Sequence, residues 1–353
     1  MTPDPRPTTR RTVACAVALC AALGWAFSGT FRAMWLRWFP AWLKADASVY
    51  NRLIEGESYY THGPVVALVS LFVAAMLLGR GESFAVRPRP VAGLLATAAA
   101  LLVHVAATMA RADAVSGLAF IGTLAGLVLT LWGVRALAHL WFPLAFLVFM
   151  IPMPETLLSN LNAALTARVA AVSTTAAAGV GVGIERTGNL VALGGNEYLV
   201  VENVCNGLRT MLSLGAFAAL LSLVSRLRGA GRVWLFAMAL PVAFAANLLR
   251  LVVLYAVAVI WGRTAAESFF HDTSGILIYL LAFLMMFGLE RLMLWWLRRC
   301  GRPAPADQPL RPGPGVLDQL GPPLGGPAAW TAVVLVAATA VALHLVAGPA
   351  PSP

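Results

Sequence analysis

Long apolar segments limit the folds open to this chain more than any other feature. A helix needs about 20 mostly apolar residues to cross a hydrocarbon core of roughly 30 Å. Hydrophobic residues make up 60% of the chain and charged residues 11%, against roughly a quarter charged in soluble proteins. The sequence therefore predicts an all-α polytopic membrane protein with about nine transmembrane helices. The predicted spans are residues 12–30, 64–79, 91–110, 115–133, 136–151, 207–225, 232–260, 273–297 and 329–347.

The net charge of +10 indicates membrane orientation rather than nucleic-acid binding. If the N-terminus is placed inside, the inner tails and loops hold the whole excess of positive charge, and the outer segments are neutral overall. This distribution follows the positive-inside rule. It predicts a multi-pass protein of the cytoplasmic (inner) membrane with membrane lipid, and no nucleic acid, among its partners.

Four regions follow from this segmentation. Residues 1–30 form a tail and a first helix, which we interpret as a retained anchor rather than a signal peptide because no small-x-small cleavage site follows. Residues 31–297 form the membrane core, and its Trp- and Tyr-rich part, 31–63, is typical of a helix in the membrane interface. Residues 298–328 are a Pro/Gly-rich linker, and residues 329–353 form a last helix and tail.

The largest predicted outer segment leads into the sixth span. Residues 155–178 are Ala-rich and predict an amphipathic helix along the membrane surface. Residues 185–193 and 198–204 predict two strands joined at Gly194-Gly195-Asn196, which is a hairpin signal. This short extracytoplasmic hairpin delivers the chain to Cys205, and its edge is suited to binding an extended peptide.

Cys205 is the candidate nucleophile because it lies at the predicted start of a helix. Unpaired N–H groups and the positive end of the helix dipole stabilise an anion there, which favours the thiolate. The alternative is structural, since a cysteine beside an apolar helix is more often a small packed hydrophobe. The four cysteines form no CxxC pair and the five histidines show no metal-site spacing, so we expect no metal and no cofactor.

Two further candidates are predicted at the same outer level. Arg250 follows the inner residue Arg232 by 18 positions, or about 27 Å of helix. An isolated arginine there can extend to the interface, but Asn247 lies on the same helical face and makes a polar stripe of the kind that faces a cavity. His271 directly precedes the eighth predicted span and so returns to the outer face.

Cysteine, arginine and histidine at one membrane face suit acyl transfer. Cys205 attacks a peptide carbonyl, His271 moves protons, and Arg250 stabilises the oxyanion or the thiolate. Five other residues are secondary candidates because they could donate N–H groups, add a cation or contribute a polar side chain to the same site. They are Asn206, Gly207, Arg209, Asn247 and His62. His62 is also explained as an ordinary polar residue at a helix start.

The chain resembles the exosortase and archaeosortase family of membrane cysteine proteases and transpeptidases over roughly residues 30–297. The resemblance rests on Tyr60-Thr61-His62-Gly63, Pro152-Met153-Pro154, Cys205-Asn206-Gly207-Leu208-Arg209, Asn247-x-x-Arg250, and His271 followed by Gly275. It departs from many members at Asn206, where they have serine, and the linker and ninth span lie beyond the common core.

The resemblance implies catalytic roles for Cys205, Arg250 and His271. It implies as substrates secreted proteins with a C-terminal sorting signal, made of a motif such as Pro-Glu-Pro, an apolar helix and a basic tail. Cleavage then occurs at the outer membrane surface, and the acceptor of any transfer is unspecified. A link to exopolysaccharide loci is also implied.

Two other functions stay open at this point. A transporter or flippase for an envelope polymer precursor would use Arg250, His271 and Arg209 to bind an anionic group, and Cys205 would be dispensable. A membrane scaffold that binds a partner through the hairpin would tolerate change at all these positions.

Overall fold

The protein is built mainly from helices in a computed structural model that describes residues 6–40, 58–79, 86–188, 190–194, 197–201, 207–300 and 326–347. Within these ranges, six helices are long and apolar enough to cross a membrane, or up to eight if two bent pairs each count as one span. A shorter apolar helix covers Gly63–Leu78. The multi-pass helical prediction is confirmed, whereas the predicted count of nine spans is not.

The helices are α1 Arg6–Ala26, α2 Ser28–Trp38, α3 Gly63–Gly79, α4 Pro90–Met109, α5 Asp113–Leu131, α6 Val134–His139, α7 Trp141–Phe146, α8 Glu155–Gly179, α9 Gly207–Val224, α10 Ala230–Ala237, α11 Ala239–Trp261, α12 Arg263–Arg299 and α13 Pro327–Ala347. A 3₁₀ helix, Leu147–Met150, follows α7. The predicted surface helix 155–178 corresponds to α8.

The first predicted span, 12–30, is divided at Phe27. α1 ends at Ala26, and α2 continues at an angle of 66° to it. The ring of His104, on α4, forms a hydrogen bond of 3.1 Å with the Ala26 carbonyl oxygen and one of 2.7 Å with the Ser116 hydroxyl. A buried carbonyl at a helix break needs such a partner, so His104 has a packing role here. Residues 41–57 of the predicted interfacial helix lie outside the described residues.

The fifth predicted span, 136–151, is not one helix. It consists of α6, α7 and the 3₁₀ helix, with a break at Leu140. Pro143 explains the break because it has no N–H to donate to the His139 carbonyl, the i→i−4 partner that a continuous helix requires. The hydropathy pattern showed the apolar run, but it does not show that a backbone N–H donor is missing at Pro143.

The helix that contains the eighth predicted span, α12, begins earlier than predicted. α12 covers 37 residues from Arg263, directly after Gly262 with a φ of +86°, whereas the sequence predicted a start near residue 273. Its span-length apolar part is Leu277–Arg299. His271 therefore lies within the helix, before the apolar part, and not at its start as predicted.

Three short strands precede the sixth predicted span. They are β1 Glu185–Thr187, β2 Leu190–Gly194 and β3 Glu197–Val200, in an antiparallel sheet of order β1-β2-β3. The predicted hairpin corresponds to β2 and β3. The single strand predicted at 185–193 is wrong, because the chain turns at Gly188 with a φ of +64°. The hairpin tip, Gly195-Asn196, and residues 202–206 lie outside the described residues.

The chain forms two compact units. The first contains Met1–Pro154 and Gln308–Pro353. In it α13 packs along α1, and a shared core joins both helices to α4 through buried residues such as Ala26, Leu101 and Val336. The last helix is thus part of the core of this unit.

The second unit contains Glu155–Asp307. The paired strand residues Val191 and Leu199 are fully or almost fully buried against α8 and α11, in one cluster with Val169 and Tyr255. The Ser173 and Tyr255 hydroxyls lie 3.2 Å apart, which adds a hydrogen bond between α8 and α11. The sheet is thereby fixed where the chain approaches α9.

Candidate functional site

The predicted site residues are distributed over both units. In the second unit, Gly207 and Arg209 lie on α9, and Asn247 and Arg250 lie on α11. His271 lies on α12, although its side chain is not among those described. Cys205 and Asn206 lie outside the described residues, directly before α9. His62 belongs to the first unit.

The closest packing among these residues joins Gly207 to Asn247. A Cβ atom at Gly207 would lie 2.8 Å from the Asn247 Nδ2 and 3.3 Å from the Leu165 Cδ2. Asn247 is only 1% exposed. Glycine at the first position of α9 therefore lets this helix begin against the amide of a buried asparagine, two residues after Cys205 in the sequence.

Arg250 follows Asn247 by three residues, so both lie on neighbouring positions of one face of α11. Arg250 and Arg209 are half-buried, and each interacts with other groups of the protein. Arg209 lies in the first turn of α9, at the positive end of the helix dipole. A cation at that end favours a bound or developing anion.

The packing of α11 against α12 determines the height of His271 along the helix axis relative to Arg250. The two helices pack against each other on either side of Gly262, and pairs about equally distant from it, such as Ala258 and Ala266, share one core. Arg250 comes 12 residues before this glycine and His271 nine residues after it. The difference of three residues corresponds to about 4.5 Å along the helix axis, so the backbone places both residues at similar heights.

Thr166 was not singled out as a site residue from the sequence. It follows Leu165, the residue that contacts Gly207, and it is 1% exposed. Its Oγ1 has no hydrogen-bond partner among the described residues. A threonine in an Ala-rich helix is no signal by itself, and only the structure shows that it is buried.

In the first unit, side chains from α2 and Tyr60 bind the segment after the 3₁₀ helix. The Tyr60 hydroxyl accepts a hydrogen bond of 3.0 Å from the Met153 N–H, and Arg37 donates one of 2.9 Å to the Met153 carbonyl. Trp38 donates its indole N–H to the Met150 carbonyl, also at 2.9 Å. Pro152 and Pro154 prevent a continuous helix here, so these side chains satisfy backbone groups that a helix would pair.

His62 lies next to this network and is half-buried. Its ring bonds to the backbone of Phe149, and its Nε2 has no partner among the described residues. Burial removes water from the charged form and lowers the pKa of His62, an effect that the Phe149 bond partly opposes.

The lowered pKa of His62 predicts a pH-dependent stability. In the unfolded chain the pKa is about 6.5, so the unfolded state takes up the proton first as the pH falls. The contribution of the neutral ring to the free energy of unfolding is therefore fully present above about pH 6.5. It decreases as the pH falls from there to the pKa of His62 in the folded protein. Of the neighbouring groups, Tyr60 has a pKa that burial raises above its usual range, so this phenol does not titrate between these values.

We therefore expect the melting temperature in detergent to fall more steeply between about pH 7 and 5 for the wild type than for His62→Gln. His139→Gln is the control, because this half-buried histidine bonds to the Leu77 carbonyl of the same unit. Equal slopes for the wild type and His62→Gln would contradict the assignment.

A family model provides the functional context. The model for the transmembrane exosortase family (Exosortase_EpsH) matches residues 53–288, about two thirds of the chain. The chain belongs to the transmembrane exosortase family. This is a family of membrane proteases and transpeptidases that act on secreted proteins carrying sorting signals. Searches of curated proteins and of solved structures give no significant match.

The exosortase match begins before Tyr60 and ends within α12. It includes every predicted site residue, from His62 to His271. It excludes α1, α2 and α13, although α1 and α13 share a buried cluster with α4 inside the matched region.

Proposed function

We propose that this exosortase is a membrane cysteine peptidase or transpeptidase that removes C-terminal sorting signals from secreted proteins. Its family membership supports action on such proteins. The observation that carries the assignment of residues is the contact of Gly207 with Asn247. It joins the start of α9, two residues after the candidate nucleophile, to the turn of α11 that bears Arg250.

The reaction follows from the chemistry of three groups. The Cys205 thiolate attacks the carbonyl carbon of the scissile peptide bond, and Arg250 stabilises the resulting oxyanion. The oxyanion collapses to a thioester, the C–N bond breaks, and protonated His271 gives its proton to the leaving amine. Water or an acceptor amine, deprotonated by His271, then attacks the thioester and releases the thiolate.

Charge distribution supports an active site at the outer face. α9 has 18 residues, or about 27 Å, which is close to the thickness of the hydrocarbon core. Its C-terminal end is followed by Arg226, Arg228 and Arg232, and such clusters mark the cytoplasmic side. Gly207 and the preceding Cys205 then belong to the opposite, extracytoplasmic side of the cytoplasmic membrane.

Coexpression with a secreted reporter tests this function. The reporter carries Pro-Glu-Pro, an apolar helix and a basic tail, and its C-terminus is read by intact mass in a strain lacking related enzymes. We expect loss of the tail only when the chain is present, with any added mass identifying an acceptor. An unchanged reporter, together with defects in envelope polymer export when the chain is deleted, would favour the transporter hypothesis.

Arg250→Gln should reduce processing of this reporter by about 100-fold or more, because an oxyanion donor typically contributes that much. Arg186→Gln is the matched control. Arg186 is an exposed arginine whose guanidinium donates to the Gly188 carbonyl of its own turn, 2.9 Å away. Processing is normalised to the amount of protein in the membrane. Equal processing by both variants would contradict the role of Arg250.

A further inference from the structure

A charged cavity lies at the end of α9 opposite Gly207. It has a volume of about 300 Å³ and opens between the last turns of α9, the following connection and the C-terminal part of α12. Three arginines and one glutamate line it together with apolar and aromatic residues, and the charged members are Arg226, Glu290, Arg291 and Arg298. The proposed catalytic mechanism uses none of them.

The cavity has an excess of positive charge. Arg226, Arg291 and Arg298 are exposed, whereas Glu290 is only 8% exposed. A carboxylate this buried normally has cationic neighbours, and one carboxylate balances only one of the three guanidinium groups. The remaining charge is suited to an anion, and guanidinium groups bind phosphate oxygens through paired hydrogen bonds.

The connection after α9 gives the cavity a fixed wall. Arg232 donates a hydrogen bond of 2.8 Å to the Leu227 carbonyl, and the Leu227 N–H donates one of 3.1 Å to the Ser225 hydroxyl. Ser225 itself is 5% exposed. The arginine-bearing turn is therefore held by its own hydrogen bonds.

The depth and the apolar lining favour a lipid over a soluble anion. The cavity lies one length of α9, about 27 Å, from Gly207, which is close to the thickness of the hydrocarbon core that separates the two headgroup layers. Trp295 and Phe287 line it and are 51% and 44% exposed, as expected for side chains that contact lipid. The Arg299 guanidinium carbon lies 4.9 Å from the Trp295 ring centroid, an arrangement typical of the membrane interface.

We propose that this cavity binds the phosphodiester headgroup of an anionic phospholipid in the leaflet opposite the proposed active site. The phosphate lies among Arg226, Arg291 and Arg298, and the acyl chains follow the exposed aromatic side of α12. Basic pockets between transmembrane helices are known to select such headgroups. The proposal does not depend on the proposed peptidase activity.

Binding is measured by native mass spectrometry of the full chain in detergent, titrated with phosphatidylglycerol. Arg291→Gln/Arg298→Gln should weaken binding by about tenfold or more, because charge-assisted hydrogen bonds to phosphate are lost. The matched control is Arg168→Gln/Arg228→Gln, which removes two exposed arginines of the same unit that lie outside the cavity lining. The control should retain binding within about twofold.

Other ligands tested in the same assay show whether the bound anion is a lipid headgroup or a soluble anion. Phosphatidylcholine, glycerophosphoglycerol and inorganic phosphate should each bind at least about tenfold more weakly than phosphatidylglycerol. Equal binding of either soluble anion, equal binding of phosphatidylcholine, or equal loss in both double variants would overturn the proposal. If Arg291→Gln/Arg298→Gln does not fold, the exposed single change Arg226→Gln replaces it, and unchanged binding would likewise overturn the proposal.

Discussion

Cys205→Ala should abolish removal of the sorting signal, with a fall in processing of at least about 1,000-fold. Without a thiolate no thioester forms, and the loss of a nucleophile commonly costs more than any other single change in an enzyme of this type. Cys205→Ser should be almost as inactive, because a serine hydroxyl is far less acidic than a thiol and forms the nucleophilic anion much less readily. The measurement is intact mass of the reporter at equal amounts of membrane-inserted protein.

Cys20→Ala and Cys300→Ala are the matched controls, because both cysteines are exposed and lie outside the proposed site. Both variants should process the reporter as the wild type does. If Cys205→Ala processes it equally well in a strain without related enzymes, Cys205 is not the nucleophile. If Cys205→Ala instead retains polymer export while Arg250→Gln loses it, the transporter hypothesis is favoured.

Hydropathy was sufficient to predict a multi-pass membrane protein, because crossing a bilayer requires long apolar helices and little else does. It failed where helix ends depend on polar residues. α12 extends about ten residues before its predicted start, because Ala265, Ala266 and Glu267 are strong helix formers outside the apolar run. Gly262, with its positive φ, marks the true boundary, but a glycine in sequence does not reveal its φ.

Proline effects were predicted only in part. The fifth predicted span ends at residue 151, directly before Pro152, and the 3₁₀ helix in its place ends at Met150. The effect of Pro143 was missed, since proline is also tolerated in the first turn of a helix, and this is its place in α7. Whether a proline begins a helix or divides one depends on the surrounding packing.

In the candidate site too, pairs within one helix could be predicted from the sequence, whereas contacts between distant segments could not. The polar pair Asn247 and Arg250 was evident from spacing on one helix. The contact of Gly207 with Asn247 joins residues 40 positions apart, and the bond of Arg37 to Met153 spans 116 positions. Neither contact leaves a periodic signal, and no single-sequence rule pairs such residues.

No role was predicted from the sequence for the last helix, α13. α13 places small residues, Ala329 and Ala332, against α1 and α5 in two buried clusters that include Cys15 and Leu19. Close approach of small side chains is the usual basis of helix association in membranes. The last helix thus has a packing role within the first unit.

Gly93→Ala should strongly destabilise the first unit, because α4 and α5 cross with no space for a methyl group. A Cβ at Gly93 would lie 2.5 Å from the Thr130 Cα and would also overlap its backbone nitrogen. Gly126 opposes Thr97 in the same way, with a Cβ 2.7 Å from the Thr97 nitrogen. Backbone atoms cannot rotate away, so the helices must separate, at a cost of about 3 kcal/mol.

The corresponding fall in melting temperature, measured in detergent, is about 6 °C or more. Gly24→Ala is the matched control. It makes the same change inside α1, where a Cβ would meet nothing within 4 Å, and it should leave the melting temperature unchanged or slightly raised through helix propensity. Thr130→Ala should not rescue Gly93→Ala, because the backbone contact would remain. Full rescue, or a wild-type melting temperature for Gly93→Ala, would mean that the two helices pack less closely than described.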